Sequence, residues 1–188
     1  MNEGHMKYLA SAEWAQQLRT NLLPWIQSAG ELGDDVLEIG PGPGLTTDLL
    51  RDMVQSVTAV ELDEALAGSL ADRMAGSNVK VHVGDAAHLD FETDRFSAAT
   101  SFSMLHHVPT AEHQDQILNE ICRVLSPGGT FFATDARDVE FLRSGHADDT
   151  FVPLPVETIA ERFERAGFCD VKIELREYEF RLTARKPD

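Results

Sequence analysis

DVLEIGPGPGLTTDLL, residues Asp35 to Leu50, sets a short apolar run against glycines at every second position, Gly40, Gly42 and Gly44, and follows them with a helix-like stretch. A strand-length run, a glycine turn and a helix form the opening of a nucleotide-binding type of unit, in which backbone must approach something closely. A phosphate loop is excluded, because the turn continues Gly44-Leu45-Thr46 and lacks the Gly-Lys-Ser/Thr ending. A nicotinamide dinucleotide fits poorly. Its fingerprint is G-x-G-x-x-G, and here the third glycine comes one residue early, although Glu61 supplies an acid about twenty residues on.

Working outward, strands and helices alternate along the chain. VLEI (36–39) reads as a buried strand and LTTDLLRDM (45–53) as the helix after the glycines. SVTAVE (56–61), rich in β-branched residues, is a second strand, and Asp63 caps a helix with Leu66, Leu70 and Met74 on its apolar side. VKVHV (79–83) alternates strictly until Gly84 and Asp85 stop it, and FSAATSF (96–102) is the fourth strand. Pro109 and Thr110 open a long helix with Ile117, Leu118, Ile121, Val124 and Leu125, which SPGG (126–129) is expected to end before the fifth strand, TFFATD (130–135).

Residues 135–155 have no period and carry many charges, as expected of a substrate loop or lid placed after a strand. Val156, Ile159, Phe163 and Ala166 mark a last helix closed by Gly167, and CDVKIEL and YEFRLTAR are two closing strands near enough in sequence to pair antiparallel. At the front, Ser11 caps a helix whose face carries Trp14, Leu18 and Leu22, and Pro24 is expected to kink or end it. The pattern predicts an α/β, Rossmann-like doubly wound sheet, mostly parallel with an antiparallel C-terminal hairpin strand and helices on both faces. Ligands of such sheets sit beyond the strands' carboxyl ends, where the strand order reverses.

The bulk composition narrows the partners. At 188 residues the chain is read as one domain, 1–188: an N-terminal helical lid segment 1–30, a core 35–135, a substrate-side insertion 136–155 and a closing helix and strand hairpin 156–188. Thirty-two acidic against sixteen basic side chains give a formal charge of −16, which repels polyanions, so no nucleic acid is expected as partner. No membrane span and no signal-peptide pattern is visible, which predicts a cytoplasmic protein; oligomeric state is left open. Cys122 and Cys169 lack metal-like spacing and are read as packing residues, and no metal is expected.

The strand ends carry acids that could line one crevice: Glu38, Glu61 and Asp85. An acid after the second strand suits a ribose diol, one after the third suits an exocyclic amine such as adenine's, and Glu38 suits a cationic group. The ligand implied is a nucleoside bearing positive charge.

VLEIGPGPG, VELD (60–63), GDAAHLDF (84–91), FSMLHHV (102–108) and RVLSPGGTFFATD (123–135) resemble, in order and spacing, the successive motifs of the class I S-adenosylmethionine-dependent methyltransferases. FERAGFCDVKIEL (163–175) is similar to that family's last helix and strand. The resemblance implies S-adenosylmethionine as cofactor and S-adenosylhomocysteine as product. It further implies Glu38 at the cofactor's amino end through water, the backbone of Gly40 and Gly42 as floor, Glu61 on the ribose hydroxyls and Leu62 against the adenine ring. Asp85 with the Ala86 backbone would read the adenine edge, and Phe102 and Ser103 would border the methionine part.

The acceptor side is less determined. His106 and His107 follow the fourth strand, where a base would sit if the acceptor is a hydroxyl or a protonated amine. His5, Tyr8 and Trp14 are candidates for an N-terminal lid, residues Phe141 to Phe151 for the opposite wall, and Asp135 for a substrate contact, with the insertion's acids favouring a neutral or cationic acceptor. A small-molecule acceptor is expected. Two alternatives stay open: an RNA adenine dimethylase-like enzyme, to which the first two motifs are similar, and a non-catalytic S-adenosylmethionine-binding regulatory module. The dimethylase pattern Asn-Leu/Pro-Pro-Tyr/Phe is replaced here by Ser103-Met104-Leu105-His106.

Overall fold

Five strands of this chain pair parallel in a row because each connection crosses back over the sheet, by helices from the first to the second, the second to the third and the fourth to the fifth, and by the helix-free segment 84–95 from the third to the fourth. A computed structural model describes residues 3–188, the side chains of Glu3 and His5 excepted. The strands are β1 (Asp35–Ile39), β2 (Ser56–Glu61), β3 (Val79–Val83), β4 (Phe96–Phe102), β5 (Leu125–Ala136), β6 (Cys169–Leu175) and β7 (Glu179–Arg185). They form one sheet in the order β3-β2-β1-β4-β5-β7-β6. β1 to β5 pair parallel, whereas β7 runs antiparallel to both β5 and β6. The architecture is the Rossmann-like one expected.

The helices are α1 (Glu3–Leu9), α2 (Ala12–Gln17), α3 (Leu23–Ala29), α4 (Leu45–Leu50), α5 (Glu64–Arg73), α6 (Ala111–Val124), α7 (Glu140–Gly145) and α8 (Ile159–Arg165). The capping residues act as the sequence implied: Ser11, Asp63 and Thr110 each accept backbone N–H bonds from the first turn that follows. Each face of the sheet has its own apolar core. One packs Phe131, Phe163, Phe168 and Phe180 against α6 and α8, and the other packs Leu18, Leu22, Ile26 and Phe132 beneath the N-terminal helices.

Local readings needed correction at four places. Pro24 does not end the helical stretch: the backbone stays helical from α2 through a π-helical turn at Leu18–Leu22, closed by Leu23 N–H to Leu18 O, into α3, where Pro24 sits in the first turn. SPGG belongs to β5, which starts at Leu125, because Lys186 and Gly128/Gly129 exchange backbone bonds there. The helix after the glycines ends at Leu50, and the insertion contains the short helix α7. No helix among the described residues is long and apolar enough to cross a membrane.

The strand order reverses between β1 and β4, since β1 has β2 on one side and β4 on the other. The loops after β1 and β4 therefore part at that point and open a crevice.

Candidate functional site

The crevice is a cleft of about 510 Å³ at the carboxyl ends of β1, β2 and β4, walled by the glycine turn, by Glu61 to Asp63, by Asp85 and Ala86, and by Phe102 to Met104. Its construction begins with the glycines. Gly40, Gly42 and Gly44 all have positive φ, the left-handed region that favours glycine. Their surroundings differ. A Cβ on Gly40 would stand 2.3 Å from Met104 Cγ and one on Gly44 2.4 Å from Leu70 Cδ1, whereas one on Gly42 would meet nothing within 4 Å. The outer two glycines admit the protein's own side chains, and Gly42 alone faces open space.

Glu61, buried at the end of β2, fixes this turn: its Oε2 accepts the Gly42 N–H at 2.9 Å and its Oε1 the Asp63 N–H at 3.1 Å. One N–H per oxygen leaves each further acceptor capacity toward the cleft, which Glu61 lines. Leu62 next to it is 69% exposed, an apolar surface held over the opening. Asp85 Oδ1 accepts the Ala87 N–H at 2.9 Å and faces His113 Nε2 at 3.0 Å. Partial burial pushes the Asp85 carboxyl up, but the Ala87 and His113 hydrogen bonds and the nearby imidazoles outweigh it, so its pKa lies below the ordinary value.

Glu38 stands one layer back from the cleft. It is 1% exposed and does not line the cleft; the Thr46 hydroxyl donates to its Oε1 and the Thr47 hydroxyl to its Oε2 at 2.6 Å. Burial raises its pKa from 4.5 to about 7, against the lowering effect of the two hydroxyls and with a further push from the charges of Asp48 and Glu61. Its reach to the cleft runs through Thr46, which does line it.

A second cavity of about 720 Å³ adjoins the first. Leu9, Trp14, Phe102 and Ser103 line both, so these four residues form the passage between them. Ser103 holds it open in a positive-φ conformation, with its N–H donated to Thr134 O at 2.8 Å. Tyr8 and Trp14, 5.4 Å apart between ring centres, form one wall; Phe141, Leu142 and His146 of the insertion form another, with Arg176 to Glu179 and Arg181 of the closing hairpin beyond. His5 has its side chain outside the described residues. None of the insertion's acids lines this cavity: Asp138 pairs with Arg143, and Asp149 lies 3.8 Å from His107 Nδ1.

Asp135 is also not a substrate contact. It is 1% exposed, its Oδ2 accepts the His106 N–H at 3.1 Å, and its Oδ1 bonds His106 Nδ1 and the Ala136 N–H. It orients His106. His106 borders the second cavity and His107 the first, and His146, brought in by the insertion, packs against both, with ring centres 5.1 Å and 5.4 Å away. Sequence reasoning missed His113 and His146. His113 had a signal, the Thr110 cap that places it three residues into α6 on the side of the cleft. His146 had none, since it lies in the aperiodic insertion.

The family model described as a methyltransferase domain matches residues 37–133, which run from β1 through β5. The chain is similar to a probable S-adenosylmethionine-dependent methyltransferase of Mycolicibacterium smegmatis, 30% identical over 141 residues, 72% of this chain and 52% of that protein. It is also similar to a probable ribosomal RNA small subunit methyltransferase A of Methanothermobacter thermautotrophicus, 48% identical over 157 residues, 72% of this chain and 55% of that protein. The chain thus spans about half the length of these curated relatives. Among solved structures, the PH0226 protein of Pyrococcus horikoshii superposes with a TM-score of 0.81 at 21% identity, over 94% of this chain and 92% of that one.

Proposed function

The chain belongs to the class I S-adenosylmethionine-dependent methyltransferases, and from that membership we propose that it transfers the methyl group of S-adenosylmethionine to a small-molecule acceptor, releasing S-adenosylhomocysteine. The observation that carries the acceptor class is the second cavity, a walled space of small-molecule size that meets the cofactor cleft at Trp14, Phe102 and Ser103.

In this reading Glu61 takes the ribose hydroxyls with the lone pairs its two backbone bonds leave, and Leu62 covers the adenine. Asp85 and the Ala86 N–H read the adenine edge. Gly42 gives the cofactor its floor, and Phe102 and Ser103 direct the sulfonium methyl toward the passage. Transfer is an in-line displacement: the acceptor's lone pair forms the new bond to the methyl carbon as the carbon–sulfur bond breaks and its electrons return to sulfur. The leaving group is already activated, so the protein contributes mainly alignment and exclusion of water. His106 and His107, which line the two cavities, are the groups that would take a proton from a hydroxyl or protonated-amine acceptor.

Ribosomal RNA is the second reading, favoured by the name of the Methanothermobacter relative. Against it stand the charge of −16 and the absence of the dimethylase tetrapeptide after β4. The test is incubation with methyl-labelled S-adenosylmethionine in the presence of a small-metabolite extract or of ribosomal RNA. Label in the metabolite fraction, lost with Glu61→Ala, is expected; label in RNA, or binding without transfer to either, contradicts the proposal.

A further inference from the structure

We infer that His106, His107 and His146 form a site for one divalent transition-metal ion of the zinc type. One ring nitrogen of each lies within 4.8 Å of those of the other two. A zinc–nitrogen bond of ~2.0–2.1 Å sets neighbouring ligand nitrogens about 3.3 Å apart, so modest turns of the rings close the set onto an ion.

The hydrogen bonds around the rings decide which nitrogens point at the ion. His106 Nδ1 faces the Asp135 carboxylate, His146 Nδ1 faces Leu142 O at 2.7 Å, and His107 Nδ1 faces Thr150 O at 3.2 Å. Two of these oxygens belong to carbonyls, which only accept, so His107 and His146 must donate from Nδ1; a carboxylate at His106 favours the same tautomer. All three lone pairs then lie on Nε2, and all three Nε2 atoms are buried. An outer oxygen on each ligand imidazole is the arrangement that orients a metal site and raises ligand basicity, and the Asp135 carboxylate supplies negative charge against the ion.

The supports are rigid where they need to be. Val152 N–H donates to His106 O at 2.7 Å, and the Gln114 side-chain amide donates both to Leu105 O at 3.0 Å and to Val152 O at 2.7 Å, which ties the insertion to the loop after β4. Three neutral imidazoles suit zinc and its neighbours rather than magnesium or calcium, and three protein ligands leave a fourth position for water or a substrate atom. Because the cluster lines both cavities, that position is within reach of the acceptor. With an ion bound, an acceptor O–H or S–H coordinated there would give up its proton to solvent, in place of the transfer to His106 or His107 that the metal-free site would use. Metal binding itself does not depend on the proposed acceptor class or on methyl transfer.

The test uses the full chain stripped with EDTA and titrated with Co²⁺ alone, then with Zn²⁺ in competition, each sample also titrated with S-adenosylhomocysteine as a check on folding. Expected are one Co²⁺ per chain with visible absorption of four- or five-coordinate intensity, and its displacement by Zn²⁺. His146→Ala should bind S-adenosylhomocysteine normally and lose metal affinity by more than ~100-fold, and Asp135→Asn should lose ~10–100-fold. Failure of the wild-type chain to take up one equivalent, or unchanged affinity in folded His146→Ala, overturns the inference.

Discussion

The two cavities that meet at Trp14 and Phe102 are built by different means. The first is made at strand ends: Gly42, Glu61 and Asp85 lie within a few residues of β1, β2 or β3, and the bonds that set them, Glu61 to Gly42 and Asp63 and Asp85 to Ala87, span one turn or one crossover. The second is assembled from the N-terminal helices, the insertion and the closing hairpin, and Arg181 reaching Asn21 O at 3.3 Å shows how far apart in sequence its walls are. A cleft set by strand ends keeps its geometry as long as the sheet does. A cavity set by packed surface segments can change its lining without disturbing the sheet, which suits a fixed cofactor beside a variable acceptor.

Substitutions can separate the two. The largest effect is expected on the strand-end side, from Gly40→Ala: positive φ and a Cβ 2.3 Å from Met104 Cγ should together cost about 3 kcal/mol of stability, seen as a fall in Tm of roughly 6–12 °C. Gly42→Ala, with nothing within 4 Å, should cost markedly less stability yet weaken S-adenosylhomocysteine binding, because its methyl occupies the cleft. Equal loss of stability in the two variants would remove the distinction drawn between these glycines.

Glu38 gives the next effect, in pH. Its pKa is raised by burial from 4.5 to about 7, so the folded chain keeps a proton that the unfolded chain releases. The stability this supplies is complete below about pH 4.5 and is lost as pH rises to about 7, a change of ~3 kcal/mol. Denaturant titrations of wild type and Glu38→Gln should therefore diverge across that window, the variant gaining relative to wild type as pH rises. Parallel curves would show that Glu38 is not held as described.

On the other side, Phe141→Ala, at a wall of the second cavity only, should leave S-adenosylhomocysteine affinity unchanged and lower turnover of the true acceptor by about tenfold. The smallest effect is expected from His113→Ala. Removing one partly exposed hydrogen bond from Asp85 should weaken S-adenosylhomocysteine binding only about 3-fold, read by calorimetry.

The same contrast explains what the sequence disclosed. β2, β3 and β4 have the bounds their residues implied, because each run is bracketed by turn-forming residues, although burial does not follow the pattern everywhere: Val83 at the end of β3 is exposed. The capping residues Ser11, Asp63 and Thr110 were equally readable, since a cap acts within three residues. Contacts across the fold were not. SPGG looks like a helix stop until Lys186 pairs with it, and Asp135 looks available for substrate until His106 folds onto it. His146 carries no local signal because its neighbours, His106 and His107, are some forty residues away. Glu38 is the mixed case: its position was legible, but Thr46 and Thr47, which take up both its oxygens, turn it from the cleft.

The central claim is that the strand-end cleft is an S-adenosylmethionine site organised by Glu61. Its most direct test is calorimetric titration of wild type and Glu61→Ala with S-adenosylhomocysteine and, separately, with NAD. We predict one site for the sulfur nucleoside, no binding of NAD, and a loss of about 100-fold or more in the variant, which forfeits charge-assisted bonds to the ligand and to the Gly42 and Asp63 N–H groups. Unchanged affinity in a folded Glu61→Ala, or preference for NAD, would contradict it.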